Sequence, residues 1–203
     1  MLQKTHAVVG TATALMVMRP DNIPEMMIGM GTALIGSVIS DIDSGKSSSR
    51  RQANMITLFV LIITAAIIAM ESYFHLGLFT LLKSDAGVMK LVISGAVFIS
   101  VCIIGKQTAH RSFMHSFLCL AVLCACVWVL FKPITGYFAA AFASHLAMDM
   151  LNKKGVRVLY PFKFGFSFNI CRADRLFNKV LFLTGLISTV AMVLFTLLKL
   201  YVL

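Results

Sequence analysis

Charge is what this chain has least of. Of its 203 residues only 13% are Asp, Glu, Lys or Arg, against roughly 25% in an ordinary soluble domain. Hydrophobic residues make up 59%, and mean hydropathy is +0.91. That balance excludes a soluble globular domain and predicts one all-α integral membrane domain over 1–203. Four prolines and few long polar stretches leave little room for disorder. The five cysteines (Cys102, Cys119, Cys124, Cys126, Cys171) lie mostly inside apolar segments, where a thiol behaves as a small hydrophobe. Neither a disulfide framework nor a thiolate metal site is expected. Lys4 before an apolar stretch gives a faint signal-peptide look, but a convincing cleavage site is lacking and His6 argues for retention.

Long apolar runs fall at 56–73, 91–105, 113–131 and 180–200, with shorter ones at 7–18, 26–40 and 134–150. The long runs approach the roughly 20 residues a bilayer asks of a helix; the short ones need protein neighbours or cross part of the hydrocarbon. The expectation is a polytopic transmembrane helical bundle of about seven membrane segments, some short or re-entrant. If all seven cross and the N-terminus is cytoplasmic, 13 of the 18 Lys and Arg are cytoplasmic: Lys4, Lys46, Arg50, Arg51, Lys106, Arg111, Lys153, Lys154, Arg157, Lys163, Arg172, Arg175 and Lys179. Arg19, Lys83, Lys90, Lys132 and Lys199 are left outside or near that interface, a strong positive-inside bias. The net charge of +10 then calls for anionic lipid headgroups or phosphate as partners. Nucleic acid is not expected, since the basic stretches lack interleaved aromatics and a DNA-binding motif. Without a soluble domain, protein partners stay unassigned.

The same parity brings four polar clusters to the cytoplasmic face. His6 opens the first segment, and SDIDSGK puts Asp41 and Asp43 just beyond the second. HRSFMHS puts His110, Arg111 and His115 at the start of the fifth, and HLAMD ends the sixth with His145 and Asp149. A carboxylate at the hydrocarbon edge persists when it is paired, metal-bound or used. Imidazole and carboxylate suit a divalent ion such as zinc, manganese or iron. His145 and Asp149, one turn apart, leave one helix face and could close on one ion. His110 and His115, five apart, do so only if His110 lies in the loop before the helix. Arg111 and His115 would share a face, and Asp41 and Asp43 need non-helical backbone, which the following SGKSSS supplies. Plainer roles stand beside these: an interfacial hydrogen bond for His6, salt bridges from Asp41 and Asp43 to Arg50 and Arg51, an interfacial His110, and a packing His145 held by Asp149. Independent accidents would have no reason to choose one side. His75, beside Glu71, falls at the opposite face and reads as structural, and the thirteen methionines read as adaptable core and lipid contact.

These motifs carry a resemblance. His6, SDIDS at 40–44, HRSFMHS at 110–116 and the segment from His145 to Phe162 resemble, in order, the elements of the YdjM/DUF457 family of bacterial inner-membrane proteins, described as membrane-bound metal-dependent hydrolases. The resemblance covers almost the whole chain and implies a multi-pass protein of the bacterial inner membrane. A looser similarity links the separated histidines and aspartates to the all-helical zinc phospholipase C and P1 nuclease group. The function so implied is metal-dependent hydrolysis of a phosphoester or phosphorylated lipid at the cytoplasmic face. His6, Asp41, His110, His115, His145 and Asp149 are the expected metal ligands, zinc first, with manganese or iron as the other candidates. Asp43 is the expected general base or supporting carboxylate, and Arg111 the phosphate clamp. Lys153, Lys154 and Arg157 would attract an anionic headgroup, with KFGFSF along the lipid surface. The rivals are a proton- or ion-coupled transporter and a non-enzymatic membrane protein with a structural metal or polar site.

Overall fold

A computed structural model of the chain describes residues 2–43, 85–170 and 175–202. Helix α1 (Gln3–Met18) turns through Asp21 into α2 (Ile23–Val38). The turn is written in the sequence NIPE. Asn22 Oδ1 accepts from the Glu25 N–H at 2.8 Å, Pro24 occupies the first turn, and Glu25 Oε2 accepts from the Asp21 N–H at 3.2 Å. Beyond α2 the chain tightens into a 3₁₀ turn, Ile39–Asp43. Helix α3 is Asp85–Gln107; a 3₁₀ turn, Phe113–His115, precedes α4 (Phe117–Phe131). The backbone breaks at Phe131 (φ −152°, ψ 81°), and Lys132–Ile134 leads into α5 (Thr135–Met150). Helix α6 is Arg175–Val202. The described residues contain no sheet; an isolated antiparallel bridge pairs Val156 with Phe166. The fold is all-α, as expected.

The helices return to one end. Asp149, at the end of α5, lies 3.3 Å from His115, which precedes α4, so α4 and α5 run antiparallel. Cys119, Leu123 and Val127 of α4 share one core cluster with Phe138, Phe142 and Leu146 of α5. Helices α1 and α2 likewise form a hairpin whose open end carries His6 and Asp41. Helix α6 runs parallel to α1: the Leu2 N–H donates to Asn178 Oδ1 at one end, and Lys199 Nζ reaches Asp21 Oδ1 at 2.7 Å at the other.

Four helical stretches among the described residues are long and apolar enough to cross a membrane: Ile23–Asp43, Gly87–Gln107, Phe117–Met150 and Leu176–Lys199. Among the described residues, four such stretches stand against the about seven segments expected for the whole chain. The run at 7–18 became a helix of 16 residues carrying Lys4, His6 and three threonines, and it packs among α2, α5 and α6. The runs at 113–131 and 134–150 fold back within one 34-residue apolar stretch. The run at 56–73, with Glu71 and His75 near it, and residues Lys46, Arg50 and Arg51 lie outside the described residues. Among the described residues large apolar side chains stand exposed along α3 and α6, among them Val92, Ile99, Ile103, Ile187, Leu194 and Phe195, as on a lipid-facing surface. The inner helices approach closely because small residues line their faces. A Cβ on Gly36 of α2 would stand 2.6 Å from the Phe138 carbonyl oxygen of α5.

Candidate metal centre

Each polar side chain reaches the common end by a different local device. His6 lies in the first turns of α1, buried against the bundle. Asp41 and Asp43 sit in the 3₁₀ turn, where residues two apart point in well-separated directions. His115 is set just ahead of α4 because Ser116 caps that helix, its Oγ accepting from the Cys119 N–H at 3.1 Å. His145 and Asp149 leave successive turns of α5, as their spacing predicts.

Five of these residues converge. His145 Nδ1 donates to the Ser37 carbonyl at 2.7 Å, so its Nε2 carries a lone pair facing inward. That atom lies 3.3 Å from His115 Nε2, 3.7 Å from Asp41 Oδ1 and 3.9 Å from Asp149 Oδ2. His115 Nε2 is 3.6 Å from Asp41 Oδ1 and 3.3 Å from Asp149 Oδ2. His6 stacks on His145, ring centroids 3.9 Å apart, with Nε2 3.5 Å from Asp149 Oδ1. All three histidines are buried, and Asp149 is only 2% exposed.

An outer layer backs the cluster. His110 Nδ1 donates to Asp43 Oδ1 at 2.7 Å, the backbone N–H of Arg111 donates to Asp43 Oδ2 at 3.2 Å, and His115 Nδ1 lies 3.4 Å from that same oxygen. His115 is thus flanked by Asp41 on one side and Asp43 on the other. His110 lies before the helix and its side chain is half-exposed. Arg111 adopts a left-handed backbone (φ 65°), and its guanidinium donates to the Lys154 carbonyl at 2.7 Å and to Asp149 Oδ1 at 3.3 Å. Arg111 and His115 therefore meet at Asp149 through a loop and not, as their spacing suggested, along one helix face.

Across residues 1–203 the sequence matches the family described as YdjM inner membrane protein. The chain belongs to the YdjM family. It is a multi-pass inner-membrane protein, and this YdjM chain matches no curated protein and no solved structure.

The donor set of this YdjM protein fits a divalent cation. Three overlapping sets, His6/Asp41/His145, Asp41/His110/His115 and His115/His145/Asp149, each hold ligand atoms within 4.8 Å of one another. Metal–ligand bonds of roughly 2.0–2.2 Å in a tetrahedron put ligand atoms about 3.4 Å apart, close to the separations at His115, His145 and Asp149. Hydrogen bonding alone leaves the centre short of donors. His115 has one Nε2 proton to offer His145 Nε2, Asp41 Oδ1 and Asp149 Oδ2, all of them acceptors. His6 Nδ1, Thr5 Oγ1 and Ser40 Oγ nearby in sequence are buried without a hydrogen-bond partner among the described residues. Burial alone would draw the His115 pKa down, yet Asp149, Asp41 and Asp43 push it up to about 10. The carboxylates favour positive charge at this point, which a His115 imidazolium or a bound divalent ion would supply beside the Arg111 guanidinium. Sequence reading missed two participants, the Ser37 and Lys154 carbonyls. Backbone acceptors leave no signature in side-chain identity.

Proposed function

We propose that this protein is a metal-dependent hydrolase whose polar end faces the cytoplasm and works on a phosphoester, that of a phosphorylated lipid. The observation that carries the reading is the inward lone pair of His145 among the nitrogens and carboxylates of His115, Asp41 and Asp149. His6, Asp41, His115, His145 and Asp149 would hold the ion, with His110 as an outer donor. Their chemistry suits zinc, then manganese or iron. A divalent ion bound there would lower the pKa of a water molecule and draw charge from the attacked phosphorus.

The chain's own groups have separate tasks. The Ser37 carbonyl fixes the His145 tautomer, and Asp43 orients His115 from behind. Asp43 also accepts from half-exposed His110, which gives a proton a way between the buried site and water, the arrangement of a general base. Arg111 presents a planar, always-charged fork beside Asp149, suited to a phosphate oxygen. Exposed Lys153, Lys154 and Arg157 attract an anionic headgroup. Hydrolysis is favoured over conduction because the histidines and aspartates gather at one end: the buried layer beyond them is Ala14, Leu15, Ala33, Phe138 and Phe142 with the hydroxyls of Thr11 and Thr32, and among the described residues it holds no buried histidine, carboxylate or cation. An ion path needs such groups at successive depths.

Elemental mass spectrometry on protein purified in mild detergent, without added metal or chelator, tests the reading. Near-stoichiometric zinc, manganese or iron is expected, and it should vanish in a folded His145→Ala/Asp149→Asn variant. Wild type that is metal-free and stays so after divalent ions are offered overturns it.

A further inference from the structure

From Phe162 to Ile170 every second residue is apolar, and every one is exposed: Phe162 63%, Phe164 72%, Phe166 45%, Phe168 66% and Ile170 68%. Lys163, Gly165, Ser167 and Asn169 alternate with them. A period of two belongs to extended chain. The backbone obliges as far as Phe168, ahead of the left-handed Asn169 (φ 53°): Val156 and Phe166 exchange N–H to carbonyl bonds of 2.9 and 2.8 Å, and the Phe168 N–H donates to the Met150 carbonyl at 2.8 Å. These bonds tie the segment to the end of α5. The Arg157 N–H, donating to the Arg111 carbonyl at 3.0 Å, ties its base to the metal centre.

Four phenylalanines and an isoleucine exposed within nine residues form an apolar patch that a loop in water would not keep. Its position and charge name the occupant. The segment lies between two membrane-crossing stretches, Phe117–Met150 and Leu176–Lys199, whose facing ends share the polar end of the bundle. It is therefore held at the depth where hydrocarbon meets headgroups. It leads toward the first turns of α6, which also expose Leu176, Val180 and Leu183. Lys153, Lys154, Arg157 and Lys163 are all exposed, and no acidic residue occurs between Asp149 and Asp174.

We propose that this arm is a lipid-docking surface: its aromatic row enters the headgroup–acyl boundary of the leaflet on the metal centre's side, with its lysines and Arg157 on anionic headgroups. Aromatic side chains favour that depth, and each cation near an anionic surface adds to the attraction. Docking seats the mouth of the centre at headgroup level. It stands whether or not the centre hydrolyses anything.

The test places a reporter on the arm. Trp128 is the single tryptophan, so a Trp128→Phe/Phe164→Trp variant emits from the arm alone. The variant is examined in nanodiscs of phosphatidylethanolamine and phosphatidylglycerol. The expected result is strong quenching by phospholipid brominated in the upper acyl chain, with at least threefold protection from aqueous acrylamide relative to free indole. Full acrylamide access with indifference to brominated lipid overturns the proposal. Exchange of phosphatidylglycerol for phosphatidylcholine should weaken the lipid quenching at least twofold; equal quenching overturns the anionic part. Phe164 is an exposed side chain, so the substitution leaves the packed core untouched.

Discussion

Asp43 receives from His110 and from the Arg111 backbone and faces His115 Nδ1 from behind the inner cluster. Carboxylates in that position behind a metal-binding imidazole typically account for about 10–100-fold in metal affinity or activity. Asp43→Asn is expected to weaken zinc binding by that factor while keeping the site's ligands, whereas Asp149→Asn should abolish stoichiometric metal; competition with a chromophoric chelator measures both. The His115 imidazolium makes a second, pH-dependent prediction for metal-free protein. Its folded pKa, about 10, lies above the ordinary 6.5. Its contribution to stability is therefore fully present below about pH 6.5 and is lost as the pH rises toward about 10. The unfolding temperature of chelator-stripped protein should fall across that range, and His115→Gln should remove that part of the slope. Zinc affinity should move the other way, tightening up to about tenfold per pH unit as the competing proton is lost. Titration calorimetry at several pH values reads that second slope.

At the level of helices, the line between what the sequence spelled out and what it hid follows the kind of constraint. The i, i+4 placement of His145 and Asp149 was legible because one helical turn is a local property. The start of α4 was not placed correctly from hydropathy: the apolar run begins at 113, but Ser116 caps the helix and leaves Phe113–His115 in a 3₁₀ turn. That shift of four residues is what frees His115 to meet His145. The close approach of α2 to α5 was hidden because it depends on which glycine faces a backbone. Gly36 and Gly31 separate these cases. A Cβ at Gly36 would stand 2.6 Å from the Phe138 carbonyl oxygen, whereas one at Gly31 meets nothing within 4 Å. Gly36→Ala is expected to destabilise by about 1–3 kcal/mol, the usual cost of overpacking. It should also loosen metal binding, since the next residue supplies the carbonyl that holds His145. Gly31→Ala should be neutral or stabilising by up to about 1 kcal/mol, from helix propensity alone. Thermal unfolding in one detergent compares the two.

For the molecule as a whole, the convergence of His6, Asp41, His115 and His145 was legible from crossing parity because a helix that spans and returns must bring its ends to shared faces. The number of segments was less so. Hydropathy measures apolarity and cannot tell a helix wrapped in protein, such as α1, from one wrapped in lipid. Orientation is expected to follow charge. Lys4, Lys106, Arg111, Lys153, Lys154, Arg157, Lys163 and Lys179 lie at the polar end of the bundle, against Arg19, Lys90, Lys132 and Lys199 toward the other. An excess of Lys and Arg marks the cytoplasmic side, so the metal centre should face the cytoplasm. The check uses single cysteines at exposed positions of the two ends, Lys153→Cys and Asp21→Cys, in a background with the five native cysteines replaced. A membrane-impermeant maleimide should label the Asp21→Cys protein in intact spheroplasts and the Lys153→Cys protein only in inverted vesicles. The reverse pattern would turn the centre outward, and the proposed phosphoester substrate would then have to come from the periplasmic leaflet.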